Sequence, residues 1–215
     1  MSARQIKKSY ISCVGYFKSY KNNNQLAFES ILERDFFTIL EFDKNVVAYK
    51  EQPFTLRYKL NSVNTKYTPD VLVDYEDGSQ KVFEVKYQDE INANTELQDK
   101  LANLKNEIKK QKNLVFEIFT DEDLNDIYLN NCMFLYKFAF LNGDEVLHEK
   151  VISEIANLKS PIPVKTFAEN ITNSQNEYLT ILPYIWHELF KNNSLIAMRE
   201  KITMNSTILS GDCNG

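Results

Sequence analysis

The stretch from Tyr67 to Tyr87 limits the possible folds more than any other part of the chain. Its sequence, YTPDVLVDYEDGSQKVFEVKY, contains a short β-branched run at 71–73 and a second strand-like run at 82–87. The residues EDGS at 76–79 lie between the two runs and favour a tight turn. Two apolar runs joined by such a turn predict a β-hairpin.

Three ionisable residues interrupt this hairpin: Asp70 opens the first strand, and Glu84 and Lys86 lie in the second. Because side chains alternate along a strand, Glu84 and Lys86 should share one face. Burying them is costly unless they are paired or bind a metal. One interpretation is a Mg²⁺ site, in which Asp70, Glu84 and the Val85 carbonyl supply oxygen ligands, while Lys86 orients the attacking water or stabilises charge on a phosphate. The alternative is that Glu84 and Lys86 face solvent on a half-exposed strand.

The composition is that of a soluble globular protein. With 215 residues, 43% hydrophobic and 26% charged, the chain can form one domain of ordinary size and a smaller one. It has no apolar run long enough to span a bilayer and no signal-peptide pattern, so we expect a cytoplasmic protein with no membrane partner. The cysteines, Cys13, Cys132 and Cys213, lack metal-ligand spacing and are expected to be free thiols. The two histidines, His148 and His187, are too few and too isolated to predict a zinc site.

The net charge of -5 and the pI near 5.2 argue against an enzyme that binds nucleic acid unaided. The exception is the segment 1–22, which contains several lysines and one arginine but no acidic residue. This basic N-terminal arm is either a DNA contact or a solvated tail. An acidic protein can still act on DNA when a partner supplies the affinity.

The residues from about Asn24 to Leu40 predict a helix, because apolar side chains recur at spacings of three and four. Within it, Ser30 and Glu33 have the spacing of a capping box. Strands are then expected within 46–58.

After the hairpin, 92–112 predicts a helix with one apolar face, and 114–119 predicts a strand. Asp121 to Asp123 should cap another helix starting near Leu124. A helix between two strands is typical of a crossover. The sheet should therefore be mixed, with an antiparallel hairpin and a parallel last strand.

Beyond Asn142 the apolar runs shorten, which predicts a boundary between a domain at 1–142 and a second domain at 143–209. Helices are expected at 145–158, 164–170 and 176–190, followed by small strands at 195–198 and 207–209. Three helices and a hairpin would make a winged-helix-like domain that contacts DNA or protein. The third helix carries Glu177 and Glu188 and little positive charge, so protein contact is favoured. Residues 210–215 are expected to form a disordered tail.

Several segments, in this order, resemble the TnsA endonucleases of Tn7-like transposons, whose catalytic domain is of the restriction-endonuclease-like PD-(D/E)xK class. The resemblance extends over roughly the first 125 residues. The segments that carry it are Ser30-Ile31-Leu32-Glu33, Leu40-Glu41-Phe42-Asp43, Glu51-Gln52-Pro53-Phe54, Thr68-Pro69-Asp70, Glu84-Val85-Lys86 and Phe116 to Asp121.

The resemblance implies an α/β restriction-endonuclease-like mixed sheet flanked by helices, joined to the winged-helix-like domain. It implies a Mg²⁺-dependent endonuclease, with Mn²⁺ able to substitute, in which Glu33 completes the metal site of Asp70 and Glu84. The family allows a glutamine where Glu84 stands, which would weaken the metal role of Glu84. The implied enzyme cuts the 5′ ends of double-stranded transposon-end DNA, while a DDE-type, TnsB-like transposase cuts and joins the 3′ ends.

A TnsC-like ATPase regulator is the expected partner of the C-terminal domain, and the assembled protein would associate with the nucleoid. Two alternatives to this function remain open. One is a catalytically inactive adaptor that recruits the transposase or the ATPase. The other is a stand-alone nuclease of restriction or repair type.

Overall fold

The computed structural model of the chain describes residues 12–60 and 63–210. They form two compact units, the first ending at Asp123 and the second beginning at Leu124. The boundary drawn from the sequence, after Asn142, falls inside the second unit. Residues 1–11 of the basic arm and all of the predicted tail except Ser210 lie outside the described residues.

Short strands and helices alternate along the described residues. The strands are β1 (Ser12–Ser19), β2 (Asn24–Ser30), β3 (Val46–Glu51), β4 (Leu56–Leu60), β5 (Val63–Tyr67), β6 (Val71–Tyr75), β7 (Gln80–Val85), β8 (Val115–Phe119), β9 (Ile162–Pro163) and β10 (Thr207–Ile208). The helices are α1 (Ile31–Phe42), α2 (Gln88–Ala93), α3 (Thr95–Lys112), α4 (Asp126–Tyr136), α5 (Glu145–Ala156), α6 (Val164–Asn170) and α7 (Gln175–Lys191). None of the described helices has both the length and the apolar character that a membrane crossing requires.

A four-stranded sheet in the order β3-β6-β7-β8 forms the centre of the first unit. β6 pairs with β7 in antiparallel orientation, which confirms the predicted hairpin. β8 pairs with β7 in parallel, after the crossover through α3. These observations confirm the α/β class, with a mixed, restriction-endonuclease-like sheet flanked by helices.

The two faces of the sheet are covered by different elements. On one face, Leu104 and Ile108 of α3 pack with Val82 and Phe116 of the sheet and with the apolar side of the β4–β5 hairpin. On the other face, Phe36 of α1 packs its ring on those of Phe83 and Phe119, at centroid distances of 5.0 and 4.4 Å. The helices thereby fix the two strand ends that carry the candidate site.

The helix predicted for 24–40 is wrong in its first part, because Asn24–Ser30 is the strand β2, paired with β1. Leu26 and Phe28 are buried while their neighbours are not, which is the alternation of a strand. At Gly15 on β1, an added Cβ would lie 2.5 Å from the Phe28 ring, so any larger residue would require that ring to move. The helix itself begins at Ile31.

A buried carboxylate ties this hairpin to the rest of the first unit. Glu41 of α1 accepts hydrogen bonds from Ser19 Oγ at 2.5 Å, Tyr49 Oη at 2.6 Å and the Lys21 backbone N–H at 3.1 Å. Burial raises the pKa of Glu41, and these hydrogen bonds oppose that shift. The Leu40–Asp43 segment is therefore structural, since its carboxylate joins β1, α1 and β3.

The second unit contains α4 to α7 and a two-stranded sheet. Its α4 is capped by Asn125 and not by the predicted residues 121–123, which form a 3₁₀ turn. The hairpin predicted from 195–198 and 207–209 is also wrong. Thr207–Ile208 pairs instead with Ile162–Pro163, which precede α6. The winged-helix-like arrangement of this region stays a prediction.

Candidate active site

Asp70 immediately precedes β6, one residue before the pair formed by Val71 and Phe83. The backbone N–H of Val85 donates a hydrogen bond to Asp70 Oδ2 at 2.8 Å. The Asp70 carbonyl accepts from the N–H of Gln52 at 2.9 Å. Backbone contacts on both sides therefore hold Asp70 against the end of β7.

Lys86 follows β7 and contacts three of the four groups predicted as metal ligands, namely Asp70, Glu84 and the Val85 carbonyl. Its Nζ lies 3.3 Å from Glu84 Oε1 and 3.6 Å from Asp70 Oδ2, and it donates to the Val85 carbonyl at 3.2 Å. Glu84 is only 5% exposed, so the alternative that it faces solvent is wrong. The structure thus brings Asp70, Glu84, Val85 and Lys86 together.

The electrostatics of this group follow from carboxylates held close together out of water. Burial, followed by the charge of Glu84, raises the pKa of Asp70 to about 7, although Lys86 and the Val85 N–H act in the opposite direction. Burial also lowers the pKa of Lys86, but the Asp70 and Glu84 carboxylates outweigh this effect and leave it raised. The ammonium is therefore charged and bound by both carboxylates.

Glu33 has the capping geometry that its spacing predicts. The Glu33 N–H donates to Ser30 Oγ at 3.1 Å, and Ser30 Oγ in turn donates to Glu33 Oε1 at 3.1 Å. Its other oxygen accepts from the Glu29 N–H at 2.9 Å. The charge of Glu33 nevertheless contributes to the raised pKa of Asp70, which places the two carboxylates within electrostatic range. Its role as a metal ligand stays a prediction.

Two tyrosines of the β4–β5 hairpin belong to this site and were missed from the sequence. Tyr67 donates a hydrogen bond from its hydroxyl to Glu84 Oε2. Tyr58 is buried on the same side of the hairpin, and its hydroxyl has no hydrogen-bond partner among the described residues. The charge of Glu84 contributes, after burial, to the raised pKa of both tyrosines. The sequence feature that could have identified them is the alternation that places Leu56, Tyr58 and Tyr67 on one buried face.

The donor set fits a hard divalent cation. Two carboxylates and a backbone carbonyl offer oxygen ligands of the kind that Mg²⁺ prefers. In the structure the Lys86 ammonium takes the position of a cation among these oxygens. A metal ion would replace that contact, and Lys86 would then be available to a substrate phosphate or to water.

A comparison with protein families found a match to part of the first unit. The family model described as TnsA-like endonuclease N terminal matches residues 43–121. This segment is a TnsA-like endonuclease domain. A search of curated proteins found no match to the chain.

The TnsA-like domain contains the whole central sheet, from β3 to β8, together with Asp70, Glu84 and Lys86. The match confirms the resemblance for this part of the chain. Glu33 on α1 precedes the matched segment, and the second unit follows it. The matched segment therefore includes the catalytic candidates Asp70, Glu84 and Lys86 but not Glu33.

Proposed function

We propose that the protein is a Mg²⁺-dependent DNA endonuclease that cuts the 5′ ends of a Tn7-like transposon, with a DDE-type, TnsB-like transposase acting on the 3′ ends. The observation that carries this proposal is the convergence of Asp70, Glu84 and the Val85 carbonyl on one cation, the Lys86 ammonium. The TnsA-like endonuclease domain supports it.

In this proposal Asp70, Glu84 and the Val85 carbonyl hold Mg²⁺, with Mn²⁺ as a substitute, and Glu33 completes the site. When bound, the metal supplies Lewis-acid stabilisation of the charge on the phosphate. Asp70 must then be ionised, which the metal itself favours, since it adds positive charge beside a carboxylate whose pKa is raised. The released Lys86 ammonium orients water or binds the scissile phosphate.

A basic groove on the hairpin that carries Tyr67 supports contact with DNA. A groove of about 600 Å³ between the β4–β5 hairpin and α3 is lined by the cationic side chains of Arg57, Lys59, Lys66 and Lys110. Glu107 also lines this groove and offsets part of their positive charge. The same hairpin carries Tyr67, which contacts Glu84. Local positive charge on the hairpin allows double-stranded DNA to approach in spite of the net charge of -5.

The net charge of -5 also indicates that the protein needs a partner to bind DNA tightly. A chain with this charge should bind DNA weakly alone, so the transposase would supply most of the affinity. We propose that the region 143–209 binds a TnsC-like ATPase regulator. We also propose that the protein acts in the cytoplasm, at the nucleoid when assembled.

The test is 5′-strand cleavage of a transposon-end duplex in Mg²⁺, with and without the transposase, by the wild type and two matched variants. Asp70→Ala should abolish cleavage while keeping the fold and partner binding, because it removes one hard ligand. Asp74→Ala is the control, since Asp74 lies on the same strand and pairs with Gln80 at the far end.

The outcomes separate the competing functions. Wild-type cleavage by Asp70→Ala would refute the metal assignment. A wild-type protein that joins the transposase yet never cleaves would be the inactive adaptor. Efficient cleavage by the protein alone, with tight and salt-sensitive DNA binding, would indicate the stand-alone nuclease.

A further inference from the structure

The two histidines of the chain, far apart in sequence, lie side by side in the second unit. His148 on α5 and His187 on α7 have ring centroids 5.0 Å apart. Glu188 completes the group, and its Oε1 lies 2.6 Å from His148 Nε2. One ligand atom from each residue lies within 4.8 Å of the other two. The two histidines, which are isolated in the sequence, are therefore neighbours in the fold.

The hydrogen bond of His187 fixes which of its nitrogens is available. His187 Nδ1 lies 2.7 Å from the Phe138 carbonyl oxygen. A carbonyl can only accept, so Nδ1 carries the proton, and Nε2 of the neutral ring keeps its lone pair. Metal-binding histidines commonly donate their second nitrogen to a carbonyl or carboxylate in this way. At 6% exposure, His187 is also shielded from solvent.

His148 and Glu188 supply the other two donors. In the described arrangement His148 Nε2 and the Glu188 carboxylate share one hydrogen bond, and Lys191 Nζ lies 3.4 Å from the same oxygen. A metal would replace the shared proton, with the His148 proton moving to Nδ1 or leaving to solvent. Lys191 is partly exposed on a flexible stem and can turn into solvent.

We propose that His148, His187 and Glu188 form a second metal site, for Zn²⁺ or a similar divalent transition metal, that links α5 to α7. Two imidazoles and one carboxylate are a donor set that suits Zn²⁺ and disfavours Mg²⁺. The site differs in chemistry from the all-oxygen group at Asp70 and Glu84, and it is independent of the proposed nuclease activity. Its effect would be to hold together the two longer helices of the region that we assign to partner binding.

The test uses the full-length Asp70→Ala chain, so that the candidate active site does not contribute a second strong binding event. Titration with Co²⁺ should give visible absorption typical of four-coordinate cobalt with nitrogen ligands, at one equivalent per chain, and Zn²⁺ should displace it. Adding His187→Gln or Glu188→Gln should weaken binding by at least roughly tenfold, since even outer-shell partners contribute that much. Zn²⁺ should also raise the Tm, and EDTA should reverse the rise.

Glu149→Gln is the matched control, because Glu149 is an exposed carboxylate on α5 next to His148. It should bind Co²⁺ like the parent chain. Far-UV circular dichroism without metal shows whether each variant folds. If His187→Gln does not fold, Glu188→Gln decides, since its side chain is partly exposed. Absence of the four-coordinate absorption, or unchanged affinity in a folded Glu188→Gln chain, would show that His148 and Glu188 form only a hydrogen bond within the protein.

Discussion

At the scale of single residues, Lys86 both completes the candidate active site and competes for it. Its ammonium contacts the oxygens that would hold a divalent cation. A positive charge at that position repels a second cation, so metal binding must displace it. Lys86 therefore opposes metal binding until a substrate phosphate provides another anion for its ammonium to contact.

Lys86→Met should leave Mg²⁺ affinity unchanged or higher while it lowers turnover by roughly 10²–10³-fold, the typical effect of losing one charge-stabilising donor. Isothermal calorimetry would measure the first effect and single-turnover cleavage the second. Lys81→Met is the control, because Lys81 lies on the same strand but pairs with Glu117. Loss of metal binding in Lys86→Met would mean that Lys86 is needed to build the site.

Asp70 predicts how stability depends on pH. Its pKa is raised from 3.8 to about 7, so between these values the folded protein holds a proton that the unfolded chain has lost. The contribution of Asp70 to the free energy of unfolding is therefore highest below about pH 3.8 and falls as the pH rises towards 7. Asp70→Asn cannot ionise, so in EDTA it should be more stable than the wild type at pH 8 by about 1 kcal/mol or more.

At pH 5 that difference should be smaller, and it should vanish only below about pH 3.8, where Asp70 is protonated in both the folded and the unfolded protein. Urea unfolding at the two pH values measures both quantities. Asp77→Asn is the control: hydrogen bonds from Ser79 lower the pKa of this exposed turn residue, so the substitution should not stabilise the protein at pH 8. Equal stability of Asp70→Asn and wild type at both pH values would place the pKa of Asp70 in the ordinary range.

At the scale of elements, the β4–β5 hairpin places two tyrosines near Glu84, of which Tyr67 donates a hydrogen bond to it. Tyr58 therefore serves as a control for Tyr67. Tyr67→Phe removes the donor to Glu84 and should destabilise the protein by about 1–2 kcal/mol, while weakening Mg²⁺ binding roughly tenfold. Tyr58→Phe removes a buried hydroxyl that has no hydrogen-bond partner in the described part of the chain, so the substitution should be neutral or stabilising. Chemical unfolding and calorimetry on the two variants measure the contrast. Equal effects of the two substitutions would show that Tyr67 does not position Glu84.

The same elements show what the sequence could predict. The β6–β7 hairpin and the parallel β8 were predictable, because their apolar runs are short, bounded by turn residues and separated by a helix of clear period. The strand β2 was not, since Leu26 and Phe28 are followed directly by the apolar start of α1, and the combined run fits helical spacing. Its pairing with β1 is a tertiary contact that no local pattern records.

The candidate sites also differ in how far local sequence patterns could predict them. Asp70, Glu84 and Lys86 lie within one hairpin, so local alternation was enough to predict that they meet. Tyr58 and Tyr67 reach Glu84 only because the β4–β5 hairpin packs on the sheet through α3. His148 and His187 meet through the packing of α5 on α7, which depends on the fold of the whole second unit.

At the scale of the whole molecule, the division at Asp123 predicts where the chain can be cut. The first unit closes there, since Asp123 Oδ2 accepts from the Thr120 backbone N–H at 2.8 Å. Helix α4 belongs to the second unit: Phe134 packs on Trp186 with centroids 5.0 Å apart, and Asn131 Nδ2 donates to the Met198 carbonyl at 2.9 Å. A cut after Asn142 therefore leaves α4 without its partners.

We expect a chain ending at Asp123 to be monomeric and to unfold cooperatively, whereas one ending at Asn142 should self-associate. In the longer chain, Leu129, Cys132 and Leu135 of α4 lose the packing that buries them, and exposed apolar surface of this kind promotes association. Size-exclusion chromatography with light scattering measures the association, and thermal unfolding measures cooperativity. A chain ending at Asn142 that is monomeric and more stable than one ending at Asp123 would reassign α4 to the nuclease unit and return the boundary to the position that composition alone suggests.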